Sequence, residues 1–142
     1  MFIFGLSMGG LISFQVALKR SKHLNGCIFV NPAFQDNPVN KPLLKKMMMF
    51  SKVFFPKSRT LKSFKSSSTR TSLEHYLKHD PLIYQGRVWT STTWALLSNM
   101  YTTSQRFPDF RTPYLCIQGG SDKLLNMFSV FDLEEQSKAE DK

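Results

Sequence analysis

The sequence has few cysteines and too few residues for several domains. Its 142 residues include two cysteines, Cys27 and Cys116, and each lies inside an apolar run, GCIFV or YLCIQG. Two cysteines in such runs are typical of buried strand thiols and exclude a disulfide framework or a cysteine metal site. This usage predicts a reducing compartment. With 42% hydrophobic and 20% charged residues the chain is globular, and its length allows one domain at most.

Negative charge is absent from residues 37–73, although the whole chain carries a formal net charge of +9. The basic residues of that span are Lys41, Lys45, Lys46, Lys52, Lys57, Arg59, Lys62, Lys65 and Arg70. Such an excess favours an anionic partner, which could be nucleic acid, an anionic membrane surface or an acidic ligand. We expect no nucleic-acid partner, because the chain has no recognisable binding motif and its Phe and Met residues do not alternate with basic ones as a base-stacking surface requires.

Short apolar runs alternate with helical patterns along the chain. The runs predict buried strands at residues 2–5, 26–31 and 114–118. The helical patterns cover residues 8–22, 42–55, 73–79, 87–104 and 126–137, the last with Asn126 as its N-cap. Prolines 108 and 113 bracket a linker before the third strand. This order predicts an α/β fold with a parallel sheet and a long helical insertion.

The first strand runs into GLSMG, residues 5–9, which fits the pattern G-x-S-x-G. A nucleophile elbow has this pattern because a serine in a sharp strand-to-helix turn needs glycines two residues to either side, where a Cβ would clash. Ser7 is then the nucleophile, and the backbone N–H of Met8 faces the oxyanion. The competing interpretation is a signal peptide or membrane anchor from Met1 to Leu18. It has against it the lack of a basic start and of a small-residue cleavage site.

A second candidate site residue follows the third strand, in the stretch YLCIQGGSD. Asp122 lies four residues beyond Gln118, where functional side chains of a parallel sheet collect. Serine before aspartate is also the chain order of the α/β-hydrolase triad. Taken by itself, an Asp in such a loop is more often a turn residue. Together with the elbow, at this spacing, the functional interpretation is favoured.

Four stretches, FIFGLSMGG, IFVNPAF, HDPLIYQGRV and TPYLCIQGGSDKL, together resemble the monoacylglycerol lipase group of α/β hydrolases, which is also grouped with serine aminopeptidase-type hydrolases. The resemblance implies a serine esterase of monoacylglycerol-like lipid esters that needs no cofactor and no metal. It implies that Ser7 is the nucleophile, that Met8 gives one oxyanion N–H, and that Asp122 is the triad acid. The chain would be the C-terminal part of the fold, with parallel strands five to seven and flanking helices. Residues 1–33 and 109–142 would form the partial core, and 34–108 a helical cap insertion.

The chain also departs from that group. Its members carry an HG stretch before the elbow and a catalytic histidine about 25 to 30 residues beyond the acid, and these 142 residues contain neither. The three histidines are His23, His75 and His79; the last two share a helix face, but no third metal ligand is evident. We therefore expect a fragment lacking the N-terminal strands and the catalytic histidine. The alternative is a non-catalytic, truncated paralogue that binds lipid or a partner.

The basic segment combines lysines with Leu, Met and Phe. Such a helix could lie in an anionic membrane interface or pack its apolar side on the hydrolase core, and both can hold together. The resemblance implies that the cap covers an acyl-chain tunnel and meets the membrane. The sequence thus predicts a cytoplasmic protein with peripheral membrane association.

Overall fold

A computed structural model of the chain describes residues 1–35, the backbone of 59–62, and residues 76, 79–84, 86–122 and 125–142. The chain divides into two compact units. The first consists of Met1–Pro38 and Leu96–Lys142, and the second of Val39–Ala95. The helix predicted over residues 42–55 lies outside the described residues, as does most of the one predicted over 73–79. The division into hydrolase core and cap at residues 34 and 108 stays a prediction.

The first unit contains a three-stranded parallel sheet, as the apolar runs predict. Its strands are β1 (Phe2–Leu6), β2 (Gly26–Val30) and β5 (Tyr114–Ile117), in the order β1-β2-β5. Ile3 is the partner of Cys27 in the register, and Phe29 is the partner of Cys116. Parallel neighbours need a crossover. Helix α1 (Met8–Arg20) provides it between β1 and β2, and Lys19 and Arg20 lie in its last turn, where cations meet the negative end of the helix dipole.

Aromatic side chains fill the core between α1 and the sheet. Phe14 of α1 is fully buried and stacks on Phe110, with ring centroids 4.5 Å apart and planes 13° from parallel. It also meets Phe34 and Phe107 edge to face, at 5.4 Å and 5.7 Å. Phe29 of the central strand β2 also packs in this core, beside Phe14. Phe107 begins a short 3₁₀ helix, Phe107–Asp109, so the proline-bounded linker supplies core residues as well as a connection.

The opposite face of the sheet is exposed and apolar. Phe2, Phe4 and Leu6 of β1 and Leu115 and Ile117 of β5 alternate with the inward residues and are 51% to 70% exposed. We call these five side chains the open face. Parallel sheets in globular proteins are normally covered on both faces. The open face is therefore a surface that favours association with further apolar groups.

Two helices differ in their beginnings from the sequence prediction. The helix predicted over 87–104 is wrong in its first three residues, because β4 (Arg87–Trp89) pairs antiparallel with β3 (Arg59–Lys62), and α2 (Thr90–Ser104) starts after it. The last helix, α3 (Ser129–Gln136), begins later than predicted. Asn126 does not cap it: its side-chain Oδ1 accepts from the Phe128 N–H at 3.1 Å, a turn that holds the chain just before the helix.

Within the described ranges, no helix is long and apolar enough to cross a membrane.

Candidate active site

Ser7 occupies the turn between β1 and α1 in a backbone conformation that few side chains adopt. Its φ is 53° and its ψ is −117°, a region that costs a non-glycine residue roughly 1–3 kcal/mol. The Ser7 N–H donates to the Val30 carbonyl at 3.0 Å, which fixes the turn against the end of β2. Serine before a helix usually caps it with its hydroxyl, but the Ser7 side chain makes no such cap bond. The Ser7 hydroxyl is thus exposed at the turn and not used as a helix cap.

The glycines around Ser7 do not all have the same role. A Cβ on Gly5 would lie 2.4 Å from the carbonyl oxygen of Gly9 and 2.6 Å from the Ser13 hydroxyl, so only glycine fits there. The sequence pattern predicts the same clash at Gly9, and this prediction is wrong: a Cβ on Gly9 meets none of the described atoms within 4 Å. Gly10 is the second tight position, since its Cβ would lie 2.8 Å from the Cβ of Pro32. The elbow is held by contacts of Gly5 and Gly10.

Met8 is the first residue of α1. An N–H at that position has no acceptor within its own helix, and the helix dipole places partial positive charge there. Both properties suit an oxyanion donor. The role of Met8 stays a prediction.

Asp122 lies in the turn that follows β5. Its N–H donates to the Gly119 carbonyl at 3.3 Å, and its Oδ1 accepts from the Leu125 N–H at 3.1 Å. The carboxyl ends of parallel strands share one edge of a sheet, so Ser7 after β1 and Asp122 after β5 lie at the same edge. Strand β2 runs between them, which separates the two strands by about 10 Å, twice the usual spacing.

Asn31 directly follows β2; the sequence predicts it as the last residue of the second strand, where the pair Asn31-Pro32 marks a turn. Its φ is 42°, and among the described residues it and Ser7 are the two non-glycine positions with positive φ. The backbone N–H of Asn31 donates to the Ile117 carbonyl at 2.8 Å. Strained backbone often marks functional sites, and here both strained residues lie at one sheet edge. The signal in the sequence is weak: an Asn directly after a buried strand tolerates this conformation better than most residues.

Comparisons with known proteins identify the family of the chain. The family model described as serine aminopeptidase, S33, a hydrolase family, matches residues 1–142. The chain belongs to this family. It is 29% identical to monoglyceride lipase of Mus musculus and 30% identical to that of Rattus norvegicus, over 143 residues each. Those alignments cover 99% of the chain and 47% of each relative, so the chain spans about half the length of the relatives it matches.

Solved structures of hydrolases share the fold. A monoacylglycerol lipase of Paleococcus ferrophilus has a TM-score of 0.85 at 22% identity, with 99% of this chain and 55% of that one covered. A soluble variant of monoglyceride lipase from Saccharomyces cerevisiae, in complex with a substrate analogue, has a TM-score of 0.83 at 17% identity, with 99% and 50% covered. The predicted fold class is confirmed: the chain has an open parallel sheet with flanking helices, and it matches about half of an α/β hydrolase.

The role predicted for Ser7 requires a base beside it. His23 follows the C-terminal end of α1, where it lines a shallow apolar depression of about 390 Å³ together with Met1 and Phe2 at the start of β1. It is therefore at the opposite edge of the sheet from Ser7, about 15 Å away along a five-residue strand. His79 is exposed, and His75 lies outside the described residues.

The two cysteines take no part in the site. Burial raises the pKa of the Cys27 thiol to about 11 and that of the Cys116 thiol to about 11. Both are free thiols on β2 and β5. A thiol with so high a pKa is a poor nucleophile at neutral pH. The prediction of a buried strand thiol is confirmed for Cys27, whereas Cys116 is only half-buried.

Proposed function

We propose that this chain supplies the nucleophile and the triad acid of a serine hydrolase that cleaves monoacylglycerol-like lipid esters. The observation that supports it best is the conformation of Ser7, strained and exposed at a strand-to-helix turn into which Gly5 fits only as glycine. A serine that served only as a helix cap would not need this geometry. The substrate class comes from the likeness to monoglyceride lipases.

The reaction proceeds by acyl transfer. The Ser7 hydroxyl oxygen attacks the ester carbonyl carbon while its proton passes to a base, and the negative carbonyl oxygen faces the Met8 N–H. The ester C–O bond then breaks, and the base returns the proton to the leaving alcohol. Water attacks the acyl group in turn, releases the fatty acid and restores the Ser7 hydroxyl. Asp122 holds the base, which in this family is a histidine, in the tautomer that accepts the proton.

His23 lies at the other sheet edge, and the chain spans about half the length of the relatives it matches; together these support a base supplied from outside these 142 residues. We propose that the chain is a fragment of the hydrolase domain and that the open face is where the rest of that domain packs. The coding DNA on either side tests this. An in-frame HG stretch upstream and a histidine downstream are expected. Stop codons on both sides would instead favour the non-catalytic paralogue.

Activity is tested by ester hydrolysis in the protein expressed from the full reading frame. Ser7→Ala should abolish turnover, and Asp122→Asn should lower kcat by up to about 10⁴-fold, because the histidine loses its orienting carboxylate. Asp109→Asn is the matched control. Asp109 is the last residue of the Phe107–Asp109 helix, and its exposed carboxylate oxygen Oδ2 lies 3.3 Å from Nε of Arg106. Removing this carboxylate should leave kcat unchanged. Equal loss in both carboxylate variants would contradict the role of Asp122.

We also propose peripheral association with anionic membranes through the basic segment, residues 41–73. Its support is the charge pattern, since the span from 37 to 73 holds nine basic residues and no acidic one. Lysines near an anionic surface contribute about 1 kcal/mol each. Changing Lys45, Lys46 and Lys52 to Glu should weaken binding to anionic vesicles on the order of 100-fold.

The control for net charge is the same reversal at Lys19, Arg20 and Lys22, three exposed residues at the end of α1. It changes the total charge equally but should affect vesicle binding much less. Equal affinity of the unaltered chain for anionic and neutral vesicles would contradict the proposal.

A further inference from the structure

The five residues after β2, Asn31–Gln35, touch both halves of the candidate site. We call them the NPAFQ segment. On one side, the Ala33 N–H donates to the carbonyl of Ser7 at 3.0 Å. Pro32 packs against Gly10 so closely that no Cβ fits between them. The segment therefore fixes the backbone of the elbow from outside the elbow itself.

On the other side, the Asn31 side chain holds the beginning of the acid loop, by which we mean residues 118–122 and 125–126. Its Oδ1 accepts from the Gly119 N–H at 2.7 Å. The Gly119 carbonyl in turn accepts from the Asp122 N–H at 3.3 Å. One side-chain amide thus connects the end of β2 to the turn that carries Asp122. The left-handed backbone of Asn31 turns the chain at this point.

Gln35 holds the far end of the same loop. Its carbonyl accepts from the Asn126 N–H at 3.3 Å, and its Oε1 accepts from the Asn126 side chain at 2.9 Å. Its Nε2 donates to Asp132 Oδ2 of α3 at 2.9 Å. These side-chain bonds are partly buried, and partly buried hydrogen bonds are less weakened by competing water than exposed ones.

We propose that the NPAFQ segment sets the position of Asp122 relative to Ser7, with Asn31 and Gln35 as positioning residues. The catalytic meaning of this distance rests on the proposed function; the structural coupling does not. The segment lies at the end of the strand between the two site strands and is hydrogen-bonded to both site loops. A substitution in the NPAFQ segment is expected to move the Asp122 carboxylate without removing any reacting atom.

Three substitutions at Asn31 distinguish the effect of losing the hydrogen-bond acceptor from the effect of straining the left-handed backbone. Asn31→Asp keeps an acceptor oxygen and tolerates positive φ. Asn31→Gly adopts the left-handed backbone freely but loses the acceptor. Asn31→Ala loses the acceptor and is strained. Amide hydrogen exchange, followed by NMR on the 142-residue chain, reports each loop residue separately and does not depend on activity.

We expect Asn31→Gly and Asn31→Ala to speed exchange at Gly119 and Asp122 on the order of five-fold, the size expected for one lost hydrogen bond. Exchange at Phe29 in β2 should stay the same, and Asn31→Asp should restore the slow rates. Gln35→Ala should speed exchange at Asn126 in the same way. The proposal is wrong if Asn31→Gly exchanges like the original chain, if strand and loop amides accelerate equally, or if Asn31→Asp does not rescue.

The protein expressed from the full reading frame gives the catalytic readout. Asn31→Gly should lower kcat for ester hydrolysis, because Asp122 is no longer held in position. KM should stay unchanged, because the substrate contacts are all present. Asn31→Asp should recover kcat, because it restores the acceptor for the Gly119 N–H. Faster amide exchange in the acid loop of Asn31→Gly together with an unchanged kcat would support the structural coupling and refute its catalytic importance. Absence of any hydrolysis would count against the proposed function and leave the exchange result as the test of the coupling.

Discussion

Adding one methyl group at Gly5 tests the geometry of the elbow directly. The new Cβ would lie 2.4 Å from the Gly9 carbonyl oxygen and 2.6 Å from the Gly9 carbonyl carbon. Real Cβ atoms essentially never approach closer than 3.0 Å, so the start of α1 must shift by at least 0.6 Å, the difference between 3.0 Å and 2.4 Å. The atoms that must move are backbone, which cannot rotate away as the end of a side chain can.

The cost follows from two opposing effects. Overpacking of this kind costs typically 1–3 kcal/mol, while replacing glycine by alanine gains roughly 0.4–1 kcal/mol by restricting the unfolded chain. Gly5→Ala should therefore lower the free energy of unfolding by about 1–2 kcal/mol. Gly9→Ala is the matched control in the same motif. It has free space and lies in the first turn of α1, so it should raise stability by about 0.5–1 kcal/mol.

Urea unfolding followed by far-UV circular dichroism at low protein concentration measures both variants, with equal slopes required for the comparison. The predicted result is a lower midpoint for Gly5→Ala and an equal or higher one for Gly9→Ala. If Gly5→Ala unfolds at the midpoint of the original chain, or if both variants lose stability equally, the close approach of β1 and α1 is not as described here.

Three further predictions concern the core, the thiols and the open face. Phe14→Ala should lose about 3–5 kcal/mol of unfolding free energy. Phe131 is 59% exposed, so Phe131→Ala should change the unfolding free energy by less than about 0.5 kcal/mol; similar losses in the two variants would contradict the aromatic core. Burial raises the pKa of Cys27 and of Cys116 from 9.0 to about 11, so the folded state holds these protons more tightly, and the stability the thiols contribute should be complete below pH 9 and lost as pH rises towards 11. At pH 8 the folded thiols should react with a disulfide reagent about 100-fold more slowly than in urea, and equal rates would show that they are not buried. Phe4→Lys with Leu115→Lys on the open face should reduce self-association of the 142-residue chain in sedimentation experiments, whereas unchanged association would locate the contact elsewhere.

The sequence predicts the site strands and α1 well because their signals are local. Apolar runs mark β1, β2 and β5, and the three- and four-residue spacing of Leu11, Phe14, Ala17 and Leu18 marks the side of α1 that packs on the core. The β3–β4 pair is missed because strands of three and four residues depend on a partner 25 or more positions away. Local periodicity carries no information about such pairing.

Other features of the site could not be predicted because they depend on what packs nearby. The pattern G-x-S-x-G treats its two glycines alike, yet only Gly5 is crowded by described atoms, and the crowding of Gly10 comes from Pro32. The sequence identifies Asn31-Pro32 as a turn but cannot show that the Asn31 side chain reaches Gly119. The position of Asp122 follows from the sequence to within its loop, whereas the bonds from Asn31 to Gly119 and from Gln35 to Asn126, which hold the two ends of that loop, do not.

The central claim is that Ser7 is the nucleophile of a hydrolase whose base comes from outside residues 1–142. A fluorophosphonate probe, which reacts with activated serines, measures this when the modified peptide is identified by mass spectrometry. In the protein expressed from the full reading frame, the label should be on Ser7 and should disappear in Ser7→Ala; in residues 1–142 alone, labelling should not exceed that of Ser7→Ala. A label on a different serine, a label that survives Ser7→Ala, or strong labelling of residues 1–142 alone would contradict the account.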